Sequence, residues 1–132
     1  MHLLRRLPLG DHDARPTALT IGNFDGLHRG HQALIERVVA RDPELRPGLM
    51  CFEPLPRTFF APERPVPRLM TLRDRIRIGR DLALQLIAPM RFDRAFSSLS
   101  PESFARDVIA AQVSGSFAAR CQVPCPPIEW PS

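Results

Sequence analysis

The fold is decided by the stretch Thr20-Ile21-Gly22-Asn23-Phe24-Asp25-Gly26-Leu27-His28-Arg29-Gly30-His31-Gln32. The apolar, partly β-branched run 18–21 leads into it and predicts a buried strand over 18–22. Two glycines and an Asn/Asp pair then favour a sharp turn with positive φ. From about Leu27 the apolar residues recur at helical spacing, which predicts a helix over 27–40.

A strand, a glycine-rich turn and a helix start form an anion site, because free N–H groups and the positive end of the helix dipole point into the turn. His28 and His31 are three residues apart and share one helix face, and Gly30 leaves room for a phosphate near the backbone. We therefore predict a nucleotide-phosphate site with His28 and His31 as catalytic residues. The other predicted contacts are Gly22, Asn23, Phe24, Asp25, Gly26 and Gly30.

The two histidines also admit other interpretations. A single histidine near a helix start is usually a surface or capping residue, but a pair flanking a glycine after a strand is less often incidental. His-x₂-His can be half of a metal site, yet no further histidine follows and the cysteines are distant, so no metal site is assigned. Cys51 lies in an apolar run and is expected in the core, and Cys121-x₃-Cys125 has no second pair.

The stretch Gly22–His31 resembles the signature of the bacterial FAD synthetases, the FMN adenylyltransferase part of bifunctional riboflavin kinase/FAD synthetase. Cys51-Phe52-Glu53-Pro54-Leu55-Pro56 resembles the Phe-Glu-Pro-x-Pro motif that this family carries after its next strand. Pro67-Arg68-Leu69 and residues 91–100 are similar to the family in order and spacing. The resemblance covers roughly residues 1–113.

The resemblance implies an α/β, Rossmann-like nucleotidyltransferase with a parallel sheet flanked by helices. It implies transfer of the adenylyl group of ATP to FMN, giving FAD and pyrophosphate, with Mg²⁺ accompanying ATP. Another adenylyl- or cytidylyltransferase with the same His-x-Gly-His core is a second possibility, against which the Phe-Glu-Pro-x-Pro block and the Asn23–Gly26 prefix argue. A non-catalytic nucleotide-binding remnant is a third.

A second strand is expected over 49–52, ending at Glu53-Pro54. Strand, helix and strand in this order predict a parallel βαβ unit, and ligands bind such sheets beyond the carboxyl ends of the strands. Asn23–Asp25 and Glu53-Pro54 should therefore border one crevice. A structural role at the helix start is favoured for Asp25, whereas Glu53 is assigned either a ribose or water contact or a local cap.

Residues 55–67 are rich in proline and predict an irregular loop. The adjacent Phe59 and Phe60 either cover a planar ring or plug the core, and the position of this loop beside the flavin in the family favours the ring. The candidate flavin-side residues are Phe52, Glu53, Pro54, Pro56, Phe59, Phe60 and Arg68.

The remaining elements are predicted from local signals. Thr71 should cap a helix, with Asp74 completing a capping box. A third strand is expected over 86–88 with Pro89 at its end, and a helix begins after Ser100. The buried side of that helix should be Phe104, Val108 and Ile109, and an added edge strand should involve Leu3, Leu4 and Leu7.

Residues 114–132 form a proline-rich tail where the family carries further motifs. We expect residues 1–113 to be a partial FMN adenylyltransferase domain, incomplete at its C-terminal end, and 114–132 to be a truncated or out-of-frame end. An incomplete sheet should leave an uncovered apolar face on 49–52 or 86–88. The chain alone is then expected to be a poor enzyme.

Composition narrows the class of protein. The chain has 132 residues, 44% apolar content and a net charge of +4, which suits a globular protein with anionic substrates. The 18 basic residues are all scattered arginines, which disfavours nucleic-acid binding as the main role. No signal peptide and no membrane-length apolar run is present, so a cytoplasmic protein is expected, with no indication of its oligomeric state.

Overall fold

A computed structural model describes residues 2–3 and 16–109. The tail 114–132 with Cys121 and Cys125, and the expected strand residues Leu4 and Leu7, lie outside the described residues. The elements in chain order are the strands and helices β1 His2–Leu3, β2 Thr17–Ile21, α1 Arg29–Val39, β3 Arg46–Glu53, α2 Pro56–Phe60, α3 Leu72–Asp81, β4 Leu86–Arg91, α4 Arg94–Ser97 and α5 Pro101–Ser103, followed by a π-helical segment Phe104–Ile109.

The strands form one sheet in the order β1-β4-β3-β2, with every pair parallel. This confirms the predicted α/β architecture with a parallel sheet. β3 lies between two neighbours and is buried from Arg46 to Cys51. The sequence predicts a buried β2, but β2 is an edge strand of the described sheet, and its Ile21 is 41% exposed. It is less buried because β3 is its only pairing partner among residues 2–3 and 16–109.

Apolar residues cover both faces of β3 and β4. Side chains alternate between faces along a strand, so Leu49 and Cys51 join one cluster and Met50 joins another. The first cluster packs against α1 and α3, and the second against the π-helical segment. The expected uncovered face on 49–52 or 86–88 is therefore wrong, since residues 49–51 and 86–88 are at most 3% exposed.

β4 extends to Arg91, and Pro89 lies inside it rather than at its end. The N–H of Phe92 donates to the Glu53 carbonyl of β3 at 2.9 Å. Because successive residues face opposite neighbours, the nitrogen of Pro89 faces away from β3. The missing N–H of Pro89 therefore removes no bond to β3. On the other side, β1 pairs with Leu86 and Ile87 in the described residues, so Pro89 removes no bond from that pairing either.

Two predicted helix starts are confirmed. The Thr71 hydroxyl accepts from the Asp74 N–H at 3.1 Å, and the Asp74 carboxylate accepts from the Thr71 N–H at 3.1 Å. The Thr71 hydroxyl also donates to the Asp74 carboxylate at 2.6 Å, and the hydrogen bonds from this hydroxyl and from the Thr71 N–H lower the pKa of Asp74. Ser100 caps α5 by accepting from the Ser103 N–H at 3.1 Å. The expected loop over 55–67 is wrong in part, because Pro56, preset for a first helical position, begins the one-turn helix α2.

The helix after Ser100 changes type along its length. Its regular part ends at Ser103 and a π-helical segment continues to Ile109. Val108 and Ile109 are buried as expected, and Phe104 is half-buried. No helix in the described part of the chain is both long and apolar enough to cross a membrane.

Candidate functional site

The two sequence motifs meet at one edge of the sheet. β2 and β3 run parallel, with Ile21 paired to Met50. The glycine-rich turn follows β2, and the cis Glu53-Pro54 bond follows β3. Both segments therefore lie beyond the carboxyl ends of adjacent parallel strands, which is where ligands bind in open α/β sheets.

Asp25 fastens the turn to the segment 68–70. Its carboxylate accepts from the backbone N–H of Leu69 at 3.1 Å and of Met70 at 2.9 Å. Gly26 has a φ of +87°, and a Cβ at this position would lie 2.9 Å from the Leu69 Cδ1, so the Leu69 side chain covers the turn. Asp25 thus makes structural contacts, but with the segment 68–70 rather than at the start of α1, where His28 is the N-cap.

Phe24 occupies the interior of the turn. Its side chain is 1% exposed, its φ is +48°, and its ring centroid lies 4.9 Å from that of His31. A bulky residue in the left-handed region is strained and persists only where the surroundings hold it. Gly22 has the Phe24 ring 3.1 Å from the position of a Cβ. Only the backbone of Phe24 is therefore left to contact a phosphate.

His28 and His31 form a stacked pair at the start of α1. Their ring centroids are 3.7 Å apart and the planes differ by 20°. His28 is the N-cap, and its Nδ1 accepts from the His31 backbone N–H at 3.4 Å. In neutral His28 the proton then sits on Nε2, which can donate to a ligand. Burial, and secondarily the neighbouring His28, lower the pKa of His31.

Gly30 serves a purpose that the sequence did not indicate. A Cβ at Gly30 would lie 3.2 Å from Cε1 and Nδ1 of His28, so the absent side chain makes room for the imidazole. The first turn of α1 contains no acidic residue, and its first N–H groups have no partner inside the helix. The positive end of the helix dipole is therefore available to an anion.

Glu53, at the end of β3, is held by two arginines. Its Oε1 lies 2.8 Å from Nη1 of Arg75, and its Oε2 pairs with Arg68. Arg75 is 1% exposed and also donates to the sulfur of Cys51 at 3.3 Å. Glu53 therefore forms ion pairs rather than a local cap. Cys51 is buried, as expected, and this burial raises the pKa of its thiol.

Arg75 was not among the site residues predicted from the sequence, although its position on the apolar face of α3 could have indicated it. Leu72, Ile76 and Gly79 mark the inward face of α3, and Arg75 falls on the same face, three residues after Leu72 and four before Gly79. A charged residue on an apolar helix face indicates a buried partner.

Six phenylalanines form an aromatic cluster next to Glu53. The ring centroid of Phe92 lies 5.4 Å from that of Phe59, 5.5 Å from Phe96, and 5.8 Å from both Phe52 and Phe60. Phe104 joins through Phe96. Phe59 is half-buried within the cluster, whereas Phe60 is 68% exposed. Phe60 thus presents a free aromatic surface, and Phe92 and Phe96 were absent from the predicted site.

The donor set does not form a protein cage for a divalent cation. Within residues 2–3 and 16–109, no three His, Cys, Asp or Glu side chains converge as metal ligands. Both oxygens of the Asp25 carboxylate already accept backbone N–H groups. Mg²⁺ keeps several waters and binds nucleotide phosphates, so it needs no such cage when it arrives with ATP.

The parallel sheet and the histidine pair at a helix start after a glycine-rich turn define a nucleotidyltransferase-like α/β protein. Residues 10–118 match the FAD synthetase family model, and the chain belongs to this family. This confirms the resemblance found in the sequence.

Curated relatives described as bifunctional riboflavin kinase/FMN adenylyltransferase agree. The Escherichia coli K12 protein is 37% identical over 103 residues, covering 76% of this chain and 33% of the relative. The Pseudomonas fluorescens protein is 39% identical over 105 residues, covering 75% and 33%, and the Haemophilus influenzae protein 31% over 119 residues, covering 89% and 39%. The chain thus spans between 33% and 39% of these relatives.

A solved structure shares the fold. The crystal structure from Streptococcus pneumoniae described as a macrolide-efflux protein superimposes with a TM-score of 0.63 at 24% identity, covering 74% of this chain and 34% of that one. At this identity the likeness concerns the fold alone.

Proposed function

We propose that this chain carries the FMN adenylyltransferase activity of FAD synthetase, moving the adenylyl group of ATP to FMN and releasing pyrophosphate. The observation that carries the proposal is the stacked His28–His31 pair at the start of α1, beside the end of β3, in a member of this family. The relatives' description names the same activity.

In this reaction an FMN phosphate oxygen attacks the α-phosphorus of ATP and pyrophosphate leaves. Negative charge grows on the α-phosphate oxygens and on the leaving group, so the catalyst must position the phosphates and stabilise charge. Nε2 of His28 and the imidazole of His31 are the proposed donors. Asn23 and the N–H groups from Gly26 to Gly30 are proposed to hold phosphate oxygens.

The flavin is proposed to bind on the side of the aromatic cluster. The exposed ring of Phe60 suits a planar heterocycle, because aromatic rings stack in offset or edge arrangements. Phe59 contacts the Phe60 ring directly, and Phe52 belongs to the same cluster through its contacts with Phe92 and Phe96. Pro54, Pro56 and the Glu53–Arg68 pair remain predicted flavin-side contacts.

Three further parts of the proposal follow from the reaction. Mg²⁺ enters as the complex of ATP, held by phosphate oxygens and water. The partners are the small molecules ATP and FMN rather than nucleic acid or a membrane. A cytoplasmic location fits an enzyme that consumes ATP.

Replacing His28 or His31 by alanine tests the proposal. FAD formed from FMN, ATP and Mg²⁺ is separated chromatographically, and ATP binding is measured by calorimetry. Loss of one preorganised donor should lower turnover by roughly 10²-fold or more, while ATP affinity changes much less. His12→Ala, outside the signature, is the control and should leave turnover unchanged.

The same assays separate the rival functions. Equal losses of binding and turnover would mean that the histidines make ground-state contacts only. ATP binding by the wild-type chain without any FAD would favour the non-catalytic remnant. Turnover near that of a complete homologous domain would show that the expectation of a poor enzyme is wrong.

A further inference from the structure

We propose that Arg75 is a positioning residue that fixes the geometry of the turn 22–31 through Glu53 and the segment 68–70. This inference rests on the proposed function, because it assigns to a buried residue of α3 the task of placing the nucleotide turn. Arg75 lies outside the glycine-rich signature, and the described polar contacts of its side chain are with Cys51 and Glu53.

A continuous series of polar contacts links Arg75 to the turn. Arg75 Nη1 lies 2.8 Å from the Glu53 carboxylate, and the other oxygen of that carboxylate pairs with Arg68. The pairing with Glu53 raises the pKa of Arg68. Leu69 and Met70 follow directly, and their N–H groups donate to the carboxylate of Asp25 in the turn. Glu53 thus joins the end of β3 to the loop that follows β2.

The burial of Arg75 indicates that this residue positions Glu53 rather than stabilising the fold. The residue is 1% exposed, and within residues 2–3 and 16–109 its Nε and Nη2, like Oε1 of Glu53, have no hydrogen-bond partner. Desolvating a guanidinium is costly, and replacing a buried ion pair by apolar residues of similar volume is often neutral or stabilising. A methionine brings no charge to desolvate, and Glu53 would keep its ion pair with Arg68. What a methionine lacks is the positive charge that holds Oε1 of Glu53 at 2.8 Å.

The consequence for catalysis is positional. If the Glu53 carboxylate moves, its ion pair with Arg68 no longer fixes the position of the segment 68–70. This segment is bonded to Asp25, so a shift of the segment also shifts the turn. The imidazoles of His28 and His31 begin the helix that leaves this turn. A misplacement of about 1 Å in an active site can cost about 10²-fold in rate.

The test compares Arg75→Met with Arg75→Lys and with Arg77→Met. Arg77 lies on the same helix with its side chain 73% exposed, making only a 3.8 Å ion pair with Asp74. Turnover per folded molecule should fall about 10²-fold in Arg75→Met, with the KM for ATP changed less than about 3-fold. The lysine variant should recover most of the loss, and Arg77→Met should match wild type.

A double-mutant cycle tests the route. If Arg75 acts through Glu53, the Arg75→Met/Glu53→Gln double variant should turn over no more slowly than the slower single variant, whereas independent roles would multiply the two losses. Multiplied losses would overturn the proposed route. A variant that loses stability but keeps the turnover of each folded molecule would overturn the positioning role.

A measurement that does not depend on turnover can distinguish a failure of the Arg75 proposal from a failure of the proposed FMN adenylyltransferase activity. The chain contains four histidines, so their imidazole signals can be followed individually by NMR. In Arg75→Met the signals of His28 and His31 should move and the pKa of His31 should rise toward its ordinary value, because a looser turn hydrates the ring. Unchanged signals in a folded variant would overturn the proposal, even if the wild type forms no FAD.

Arg68→Met provides the same test outside the core, should Arg75→Met fail to fold. The Arg68 side chain is 41% exposed, so its replacement breaks the series of contacts without leaving a buried charge. The same displacement of the two imidazole signals is expected. Signals identical to those of wild type would contradict the link between Glu53 and the turn.

Discussion

Replacing Asp25 by alanine measures how firmly the segment 68–70 is held across the nucleotide turn. The carboxylate accepts from the Met70 N–H at 2.9 Å and from the Leu69 N–H at 3.1 Å. The first bond is partly buried and the second is exposed. Hydrogen bonds to charged groups contribute about 1.5–3 kcal/mol, and less where water can replace the acceptor.

The expected loss is about 1.5 kcal/mol for Met70 and about 0.5 kcal/mol for Leu69, or about 2 kcal/mol in total. That is a large share of the roughly 5–15 kcal/mol that stabilises a domain. At an unfolding entropy of about 2.1 cal/mol/K per residue, this loss corresponds to a fall in Tm of about 7–8 °C for a chain of 132 residues.

Urea denaturation followed by far-UV circular dichroism gives the free energy of unfolding. Asp25→Asn retains one carbonyl acceptor and should lose about half as much as Asp25→Ala. Asp42→Ala removes an exposed carboxylate that accepts from the nearby Glu44 N–H at 2.9 Å, and should cost less than about 0.5 kcal/mol. If Asp25→Ala were as stable as the Asp42 control, Asp25 would not be what holds the segment.

Three further predictions concern the turn and the helix caps. Gly30→Ala should lower turnover at least about 10-fold by displacing His28, and loss of the His28 cap should offset the roughly 0.5–1 kcal/mol that alanine gains over glycine inside a helix; unchanged FAD formation in a stable variant would contradict the packing argument. Because the pKa of His31 is lowered on folding, the unfolded chain binds more protons near pH 6.5, so unfolding free energy should fall as pH drops below about 6.5. Urea titrations of wild type and His31→Asn check this, and equal pH slopes would refute it. Thr71→Ala should cost about 1 kcal/mol and raise the pKa of Asp74, measured by urea unfolding and by NMR; an unchanged pKa would argue against the capping box.

Features encoded by neighbouring residues could be predicted. The strand, turn and helix around the signature, the capping box at Thr71 and the cap at Ser100 all depend on side chains within a few positions of one another. The meeting of the signature with Glu53-Pro54 also followed from sequence, because parallel strands bring their carboxyl ends to the same edge.

Features set by distant contacts could not be predicted. The ion pair of Glu53 with Arg75 joins residues that are far apart in sequence, and no residue close to Glu53 in the sequence indicates which arginine pairs with it. The position of Pro89 inside β4 is tolerated only because its nitrogen faces away from β3, which requires the strand register. Gly30 is needed because a side chain there would contact the His28 imidazole. The orientation of the His28 side chain cannot be inferred from the sequence.

The pairing of β1 with β4 has a practical meaning for experiments on this chain. His2 pairs with Leu86, the first residue of β4, so the start of the chain lies at the amino-terminal end of a parallel sheet. The nucleotide turn lies at the opposite, carboxyl-terminal end of that sheet. A fluorophore, affinity tag or surface tether attached before His2 is thus remote from the histidine pair, and an immobilised chain keeps its turn open to ATP and FMN in solution.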